Sequence, residues 1–264
     1  MRTAPVSSQL LVLMRAVSNR LNWFLGTRFA KTIPLTFVIG YPKSGTTWAC
    51  QLVADVLELP LPRFSLFPIG CPAVVHGHQT MSRRYPRAVY VMRDGRDAVI
   101  SRYFTWANAS DPPLKSRRRR RFRELVDKDN ARKNLPAFID ELMRHPVGSS
   151  VNWADHVRSY YEASNPNAAL LRYESLRQDG RSELSQAITA LTGHPADPQA
   201  ISRALEKFAF NRQARHRDRI VRKGQVGNWR EHFTREAAEV FDRYCGQQLI
   251  KAGYEPDRSW IEAL

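Results

Sequence analysis

The sequence predicts an α/β protein with three layers, a central parallel sheet flanked by helices, and three observations carry that expectation. The apolar run Leu35 to Ile39 breaks at Gly40 and Pro42 and restarts as a helix, which is how a buried parallel strand feeds a helix through a tight turn. The plan repeats at Ala88 to Met92, where the turn Arg93-Asp94-Gly95-Arg96-Asp97 leads into an apolar-periodic helix through Trp106. Asn167 to Glu174 reads as another strand, followed by helices at about Arg181 to Leu191 and Pro198 to Phe208. With 264 residues and 43% hydrophobic content, one large domain with a substantial core is expected.

In chain order, Ser8 to Ala30 sets Leu10, Leu11, Leu13, Met14, Val17, Leu21, Phe24 and Leu25 among Arg15, Arg20 and Arg28 at helical spacing. Residues 1–33 are therefore an amphipathic basic helix or extension, and 34–264 a single domain. Packing on that domain explains the helix, and contact with an anionic membrane surface is the alternative. Thr46 to Leu57 carries Trp48, Leu52, Val53, Val56 and Leu57 on one helical face, and Pro60, Pro62 and Pro68 end regular structure. Ala73 to His78 starts as a short strand and closes on two histidines around Gly77. Residues 111–133, with arginine at every position from Arg117 to Arg121, form the least foldable stretch. A solvated loop is expected there, with a mobile lid or an anionic-surface contact as alternatives. Helices at Val151 to Ser164 and Thr234 to Ala252 complete the chain.

Charge narrows the partners. The 41 Lys and Arg against 25 Asp and Glu give +16, which favours an anionic substrate or surface: phosphorylated nucleotide, acidic glycan or lipid headgroup. Nucleic acid is not expected, because Phe122 is the one aromatic among the clustered basic residues and base stacking needs several. Cys50, Cys71 and Cys245 are far apart and odd in number, against a disulfide framework or zinc site. His76 and His78 lack a nearby acidic or cysteine partner at ligand spacing, so no metal is expected. No 18-residue apolar span or signal-peptide core is present, and a cytoplasmic protein, at most peripheral to a membrane, is expected.

The candidate chemistry gathers at the strand ends. Ser44, Gly45, Thr46 and Thr47 bring small residues and backbone N–H groups to a helix start, with Lys43 at the mouth, an arrangement that holds anions. Arg93 follows a strand's carboxyl end, where open α/β sheets bind ligands, and Ser101 lies one turn beyond Asp97. The pair can share a phosphate; alternatively Arg93 pairs with Asp97 to staple the turn. A histidine at a strand end beside a phosphate cradle suits a general base. Tyr173 closes its strand where it can meet a ligand base, and Arg222, Lys223 and Gly224 open a basic, glycine-bearing loop suited to a phosphate.

Together these motifs resemble the sulfotransferases that use 3′-phosphoadenosine 5′-phosphosulfate (PAPS), over nearly everything after about residue 34. Pro42-Lys43-Ser44-Gly45-Thr46-Thr47-Trp48 resembles their 5′-phosphosulfate loop, and Tyr90-Val91-Met92-Arg93 through Ser101 their 3′-phosphate motif. Arg172-Tyr173-Glu174 resembles the segment whose tyrosine contacts adenine, and Arg222-Lys223-Gly224-Gln225-Val226-Gly227-Asn228-Trp229-Arg230 the carboxyl-terminal loop at the 3′-phosphate. The resemblance implies a P-loop-like α/β/α fold and sulfuryl transfer to a hydroxyl or amine on a glycan, lipid or small molecule. PAPS would be the cosubstrate, adenosine 3′,5′-bisphosphate (PAP) the product, and no metal would be needed. It assigns Lys43 to the leaving phosphate, Ser44, Gly45, Thr46 and Thr47 to the 5′-phosphate loop and Trp48 to adenine. Arg93, Ser101, Arg222, Lys223 and Gly224 would hold the 3′-phosphate. His78 matches the catalytic position, while His76 stands where many soluble members have lysine; either imidazole can accept the acceptor's proton. The family's dimer segment is only partly matched, since Arg235 replaces a valine, so oligomeric state stays open.

Two other functions compete. A kinase acting on a small alcohol would share the cradle, but a Walker A loop places lysine after its second glycine, whereas Lys43 precedes Gly45. A non-catalytic basic module for anionic membrane or nucleic acid would rest on residues 111–133 and the N-terminal helix.

Overall fold

The structure, a computed structural model, describes residues 8–62, 65–67, 69–108, 121–209 and 224–264. The four strands β1 (Leu35–Gly40), β2 (Ala73–Gly77), β3 (Ala88–Met92) and β4 (Ala168–Arg172) pair in the order β2-β1-β3-β4, all parallel. The central β1 is buried at every position, as a predominantly apolar, β-branched run suits, with Thr36 its one polar side chain. Its side chains alternate between two cores. Leu35, Phe37 and Ile39 join one, and Val38 joins the other with Trp48, Leu52 and Val53 of α2 (Thr46–Val56). Two cores on opposite faces of one sheet make the expected three layers.

Helices α1 (Ser8–Arg28), α3 (Gly95–Ala107), α5 (Trp153–Ala163) and the long α9 (Arg235–Lys251) fall where apolar periodicity and capping residues place them. Thr234 Oγ1 caps α9 by accepting the N–H of Ala237, and Asn152 caps α5 through Asp155 N–H. Helices α7 (Gly180–Thr192) and α8 (Pro198–Lys207) match their predicted extents, α8 starting with Pro198 behind an Asp197 cap.

Two helices escape the sequence reading. The short α6 (Tyr173–Gln178) begins at Tyr173, so β4 ends one residue before it. Helix α4 (Ala131–Arg144) begins inside the 111–133 stretch, so the last three residues of that stretch are helix and not the expected loop, and it contains Pro136. Leu135, Phe138, Ile139, Leu142 and Met143 recur at helical spacing and are buried, and that burial outweighs the hydrogen bond lost at Pro136. Phe122 also belongs to the core, edge-on to Trp106 and Phe138. Of the arginine run, Arg121 is described and lies 3.6 Å from Glu141, while residues 109–120 fall outside the described residues.

On β3, the buried Tyr90 stacks on Tyr160, and its hydroxyl lies 2.8 Å from Nδ1 of His156. Burial, the largest cause, pushes the His156 pKa from 6.5 down to about 4. The folded state thus favours neutral imidazole, and the unfolded chain binds the proton first as pH falls. Stability contributed here is complete above pH 6.5 and is lost as pH drops toward 4. Denaturant titrations across that window should show a loss of a few kcal/mol, reduced when His156 is replaced by Gln.

Candidate active site

The site lies at the carboxyl ends of β1, β2 and β3. After Gly40 the chain turns through Tyr41 to Gly45 and enters α2, whose N-cap is Gly45 at φ +85°. Lys43 also has positive φ, +76°, so left-handed residues alternate through the turn and aim successive backbone N–H groups toward one concavity. No side-chain cap closes the start of α2. The Ser44 hydroxyl, 1% exposed, has no hydrogen-bond partner in the structure. A buried donor beside an open helix N-terminus is what an anion-binding cradle requires.

Gly45 is fixed by its neighbour as well as by φ. A β-carbon there would lie 2.6 and 2.9 Å from ring carbons of Tyr173. That ring cannot retreat readily: its hydroxyl donates to Gly224 O at 3.1 Å, and the Arg93 guanidinium lies 4.2 Å from its centroid. Gly45→Ala should therefore lower the unfolding free energy by about 1–3 kcal/mol, read from denaturant titration, through backbone strain and overpacking.

Arg93 links the two loops around the cradle. It donates to Lys43 O at 3.0 Å and to Gln225 O at 3.1 Å, and lies 3.8 Å from Asp97. The expected staple with Asp97 is present, but Asp97 does more. Its two oxygens accept the N–H groups of Gly227 at 2.8 Å and Trp229 at 3.0 Å, tying down the carboxyl-terminal loop. Burial pushes the Asp97 carboxyl upward, with Arg93 and both N–H groups opposing it. Next to it, Arg96 is fully buried, held by Asp94 and Glu255 and flanked by Trp229 and Trp260 at 3.8 and 4.7 Å. Glu174 accepts the Asp94 N–H at 2.9 Å, joining this turn to α6.

Ser101 lies on α3 one turn past Asp97, half-buried. Trp48 donates its indole N–H to Phe208 O at 2.9 Å and meets Tyr173 edge-on at 6.2 Å, so the two aromatics frame one wall beside the cradle. Thr47 occupies the first turn of α2. Gly224 is at φ +58°, beneath the Tyr173 hydroxyl. Arg222 and Lys223 lie outside the described residues.

Both histidines reach the cradle from the carboxyl end of β2, adjacent and parallel to β1, His76 within the strand and His78 just after it. His76 Nε2 is 2.9 Å from Thr46 Oγ1, and His78 Nδ1 is 2.7 Å from Gly40 O. A carbonyl can only accept, so Nδ1 of His78 carries the hydrogen and Nε2 the lone pair. Burial lowers the His78 pKa below 6.5, with Arg102 and Lys43 pushing the same way. His78 is thus a neutral imidazole at pH 7 in a fixed tautomer, whereas His76 faces the first turn of α2. Among the described residues, no cluster of three or more His, Cys, Asp or Glu side chains suits a metal ion.

Comparison with known proteins gives the family. The family model described as a sulfotransferase domain matches residues 73–253. Amine sulfotransferase of Oryctolagus cuniculus is 26% identical over 261 residues, covering 81% of this chain and 80% of that protein. Sulfotransferase 1E1 of Bos taurus is 23% identical over 261 residues, covering 80% and 82%. Among solved structures, mouse sulfotransferase SULT7A1 complexed with PAP superposes with a TM-score of 0.63 at 20% identity, covering 92% of each chain. Retinol dehydratase in complex with androsterone and inactive cofactor PAP gives 0.59 at 18% identity, covering 86% of this chain and 85% of that one. With the model spanning more than half of its length, the chain belongs to the sulfotransferase family.

Proposed function

We propose that this sulfotransferase takes its sulfuryl group from PAPS and delivers it to a hydroxyl or amine, with His78 as general base and Lys43 at the leaving phosphate. The observation that carries the assignment is His78: its Nδ1–H is committed to Gly40 O beside the cradle, leaving Nε2 as the proton acceptor. The cradle suits the nucleotide, since Ser44 offers a buried hydroxyl without a partner at a helix start that no side chain caps. PAPS supplies an activated sulfuryl group and two anionic anchors on one ribose. The first turn of α2, Ser44 through Thr47, would hold the 5′ side, and Arg93, Ser101, Arg222, Lys223 and Gly224 the 3′-phosphate. Trp48 and Tyr173 would flank adenine.

In the transfer, the acceptor oxygen or nitrogen forms a bond to sulfur as the bond from sulfur to the bridging phosphate oxygen breaks. His78 Nε2 takes the acceptor's proton, and the Lys43 ammonium offsets the negative charge that grows on the departing phosphate. Positioning in line supplies the rest. A kinase reading finds no support in the loop, where lysine precedes the glycine, and family membership removes the need for a non-catalytic module.

Calorimetric titration tests the donor assignment. PAP should bind at micromolar strength or better with magnesium absent, and ATP more weakly under either condition. Magnesium-dependent ATP binding tighter than that of PAP would refute the assignment.

A further inference from the structure

We propose that the outward face of α1 is a docking surface for an anionic lipid bilayer. This goes beyond the reaction and is independent of the donor and the acceptor.

The helix is amphipathic in the reverse of the usual sense. Its inward face carries small and polar residues around one aromatic anchor: Ser18 and Asn22 are buried, and Ser18 Oγ donates to Phe67 O at 2.8 Å. Asn22 Oδ1 accepts the N–H of Ile69 at 2.5 Å. A β-carbon on Gly26 would lie 2.7 Å from the Phe37 ring, so the helix backbone sits directly on the sheet's side chains. Trp23 anchors it, 4.6 Å from the Phe37 ring and 5.0 Å from that of Tyr85. The outward face nonetheless holds a row of large apolar residues. Leu13, Val17, Leu21 and Phe24 form one stripe at helical spacing, with Leu13 59% and Phe24 57% exposed. Phe29 beyond the helix end and Phe67 beside it are exposed too. A helix on a water-facing surface ordinarily turns such a stripe toward the core, and a contiguous exposed apolar strip marks an interaction surface.

Charge selects the occupant. Asp55 is the first acidic residue of the chain. Arg20 and Arg28 stand seven residues beyond Leu13 and Leu21, on the same stripe, and both are exposed, as is Lys31. An apolar stripe studded with arginine and free of carboxylate matches a helix lying in the plane of a bilayer, with side chains among the acyl chains and guanidinium groups at anionic headgroups. A two-fold pairing with a second copy would instead bring the arginines of both helices into one interface that α1 supplies with no carboxylate. The surface adjoins the reaction centre: a β-carbon on Gly77, between His76 and His78, would lie 2.2 Å from the Trp23 ring. A bilayer on α1 is thus separated from the end of β2 by the helix alone.

The test is co-sedimentation of the full chain with vesicles of phosphatidylcholine mixed with phosphatidylserine, against pure phosphatidylcholine, at low and high salt. Wild type should bind the mixed vesicles and lose them at high salt. The double variant Leu13→Glu with Phe24→Glu should bind roughly a hundredfold or more weakly, from the loss of two buried apolar side chains. Arg20→Gln and Arg28→Gln should each cost about fivefold. All four positions are exposed, and thermal melts check that the variants fold; if the Glu pair does not, the Gln pair decides. Failure of wild type to bind mixed vesicles overturns the proposal, as does binding that ignores both pairs. A concentration-dependent dimer dissolved by the Glu pair, with no vesicle binding, would assign the stripe to a second copy.

Discussion

His78→Ala should lower kcat by about 10²–10⁴-fold, the range for losing a positioned general base, while PAP affinity changes little. The imidazole lies at the end of β2, outside the turn and helix start that form the cradle, and its fixed contact is to a backbone carbonyl. Its loss should therefore fall on the chemical step, not on nucleotide binding. Because burial holds its pKa below 6.5, the acid limb of kcat/KM against pH should also lie below 6.5, with activity level from there toward neutrality. An acid limb above pH 6.5 would indicate an imidazole stabilised in its charged form, contrary to the buried, carbonyl-bound ring. In His78→Ala that limb should vanish from the residual rate.

Lys43→Ala should cost about 10²–10³-fold in kcat, comparable to removing one donor aimed at developing charge. The substitution isolates the ammonium cleanly. Arg93 holds the backbone carbonyl of residue 43, not its side chain, and both lysine and alanine carry a β-carbon at φ +76°, so the turn's strain is unchanged. Nucleotide affinity, measured by titration with PAP, should fall far less than kcat. Equal losses in both would move Lys43 from leaving-group stabilisation to simple ground-state binding.

Much of this was legible because strand burial and turn chemistry are local. The short, mostly apolar and β-branched runs of β1 and β3, bounded by turn residues, read as strands buried on both faces, and the glycine and proline after β1 announced the turn. Order along the chain also placed Lys43, Arg93 and Tyr173 at successive strand ends, which the parallel sheet then brings together. What stayed hidden depends on long-range partners. Asp97 reads as an arginine's mate from spacing alone, and nothing local shows that it receives the backbone N–H groups of Gly227 and Trp229 from 130 residues away. Arg96 looks like one more exposed charge, yet two carboxylates and two indoles bury it. Helix α4 was obscured by Pro136 and the adjoining charge run, because tertiary burial of its apolar face, not propensity, forms it. The histidine register was open because His76, on β2, and His78, one residue past its end, are two residues apart with ring centroids 4.7 Å from each other. The structure gives them different partners, Thr46 for His76 and Gly40 for His78, and the proposed assignment of the base to His78 rests on that difference.

Single-turnover transfer from sulfur-35-labelled PAPS, with donor saturating and a panel of small alcohols and amines as acceptors, tests the central assignment when His78→Ala and His76→Ala are compared side by side. Transfer by His78→Ala should fall by about 10²–10⁴-fold, with His76→Ala within about tenfold of wild type, the cost of one lost neutral hydrogen bond near Thr46. Near-normal transfer by His78→Ala with loss in His76→Ala would contradict it.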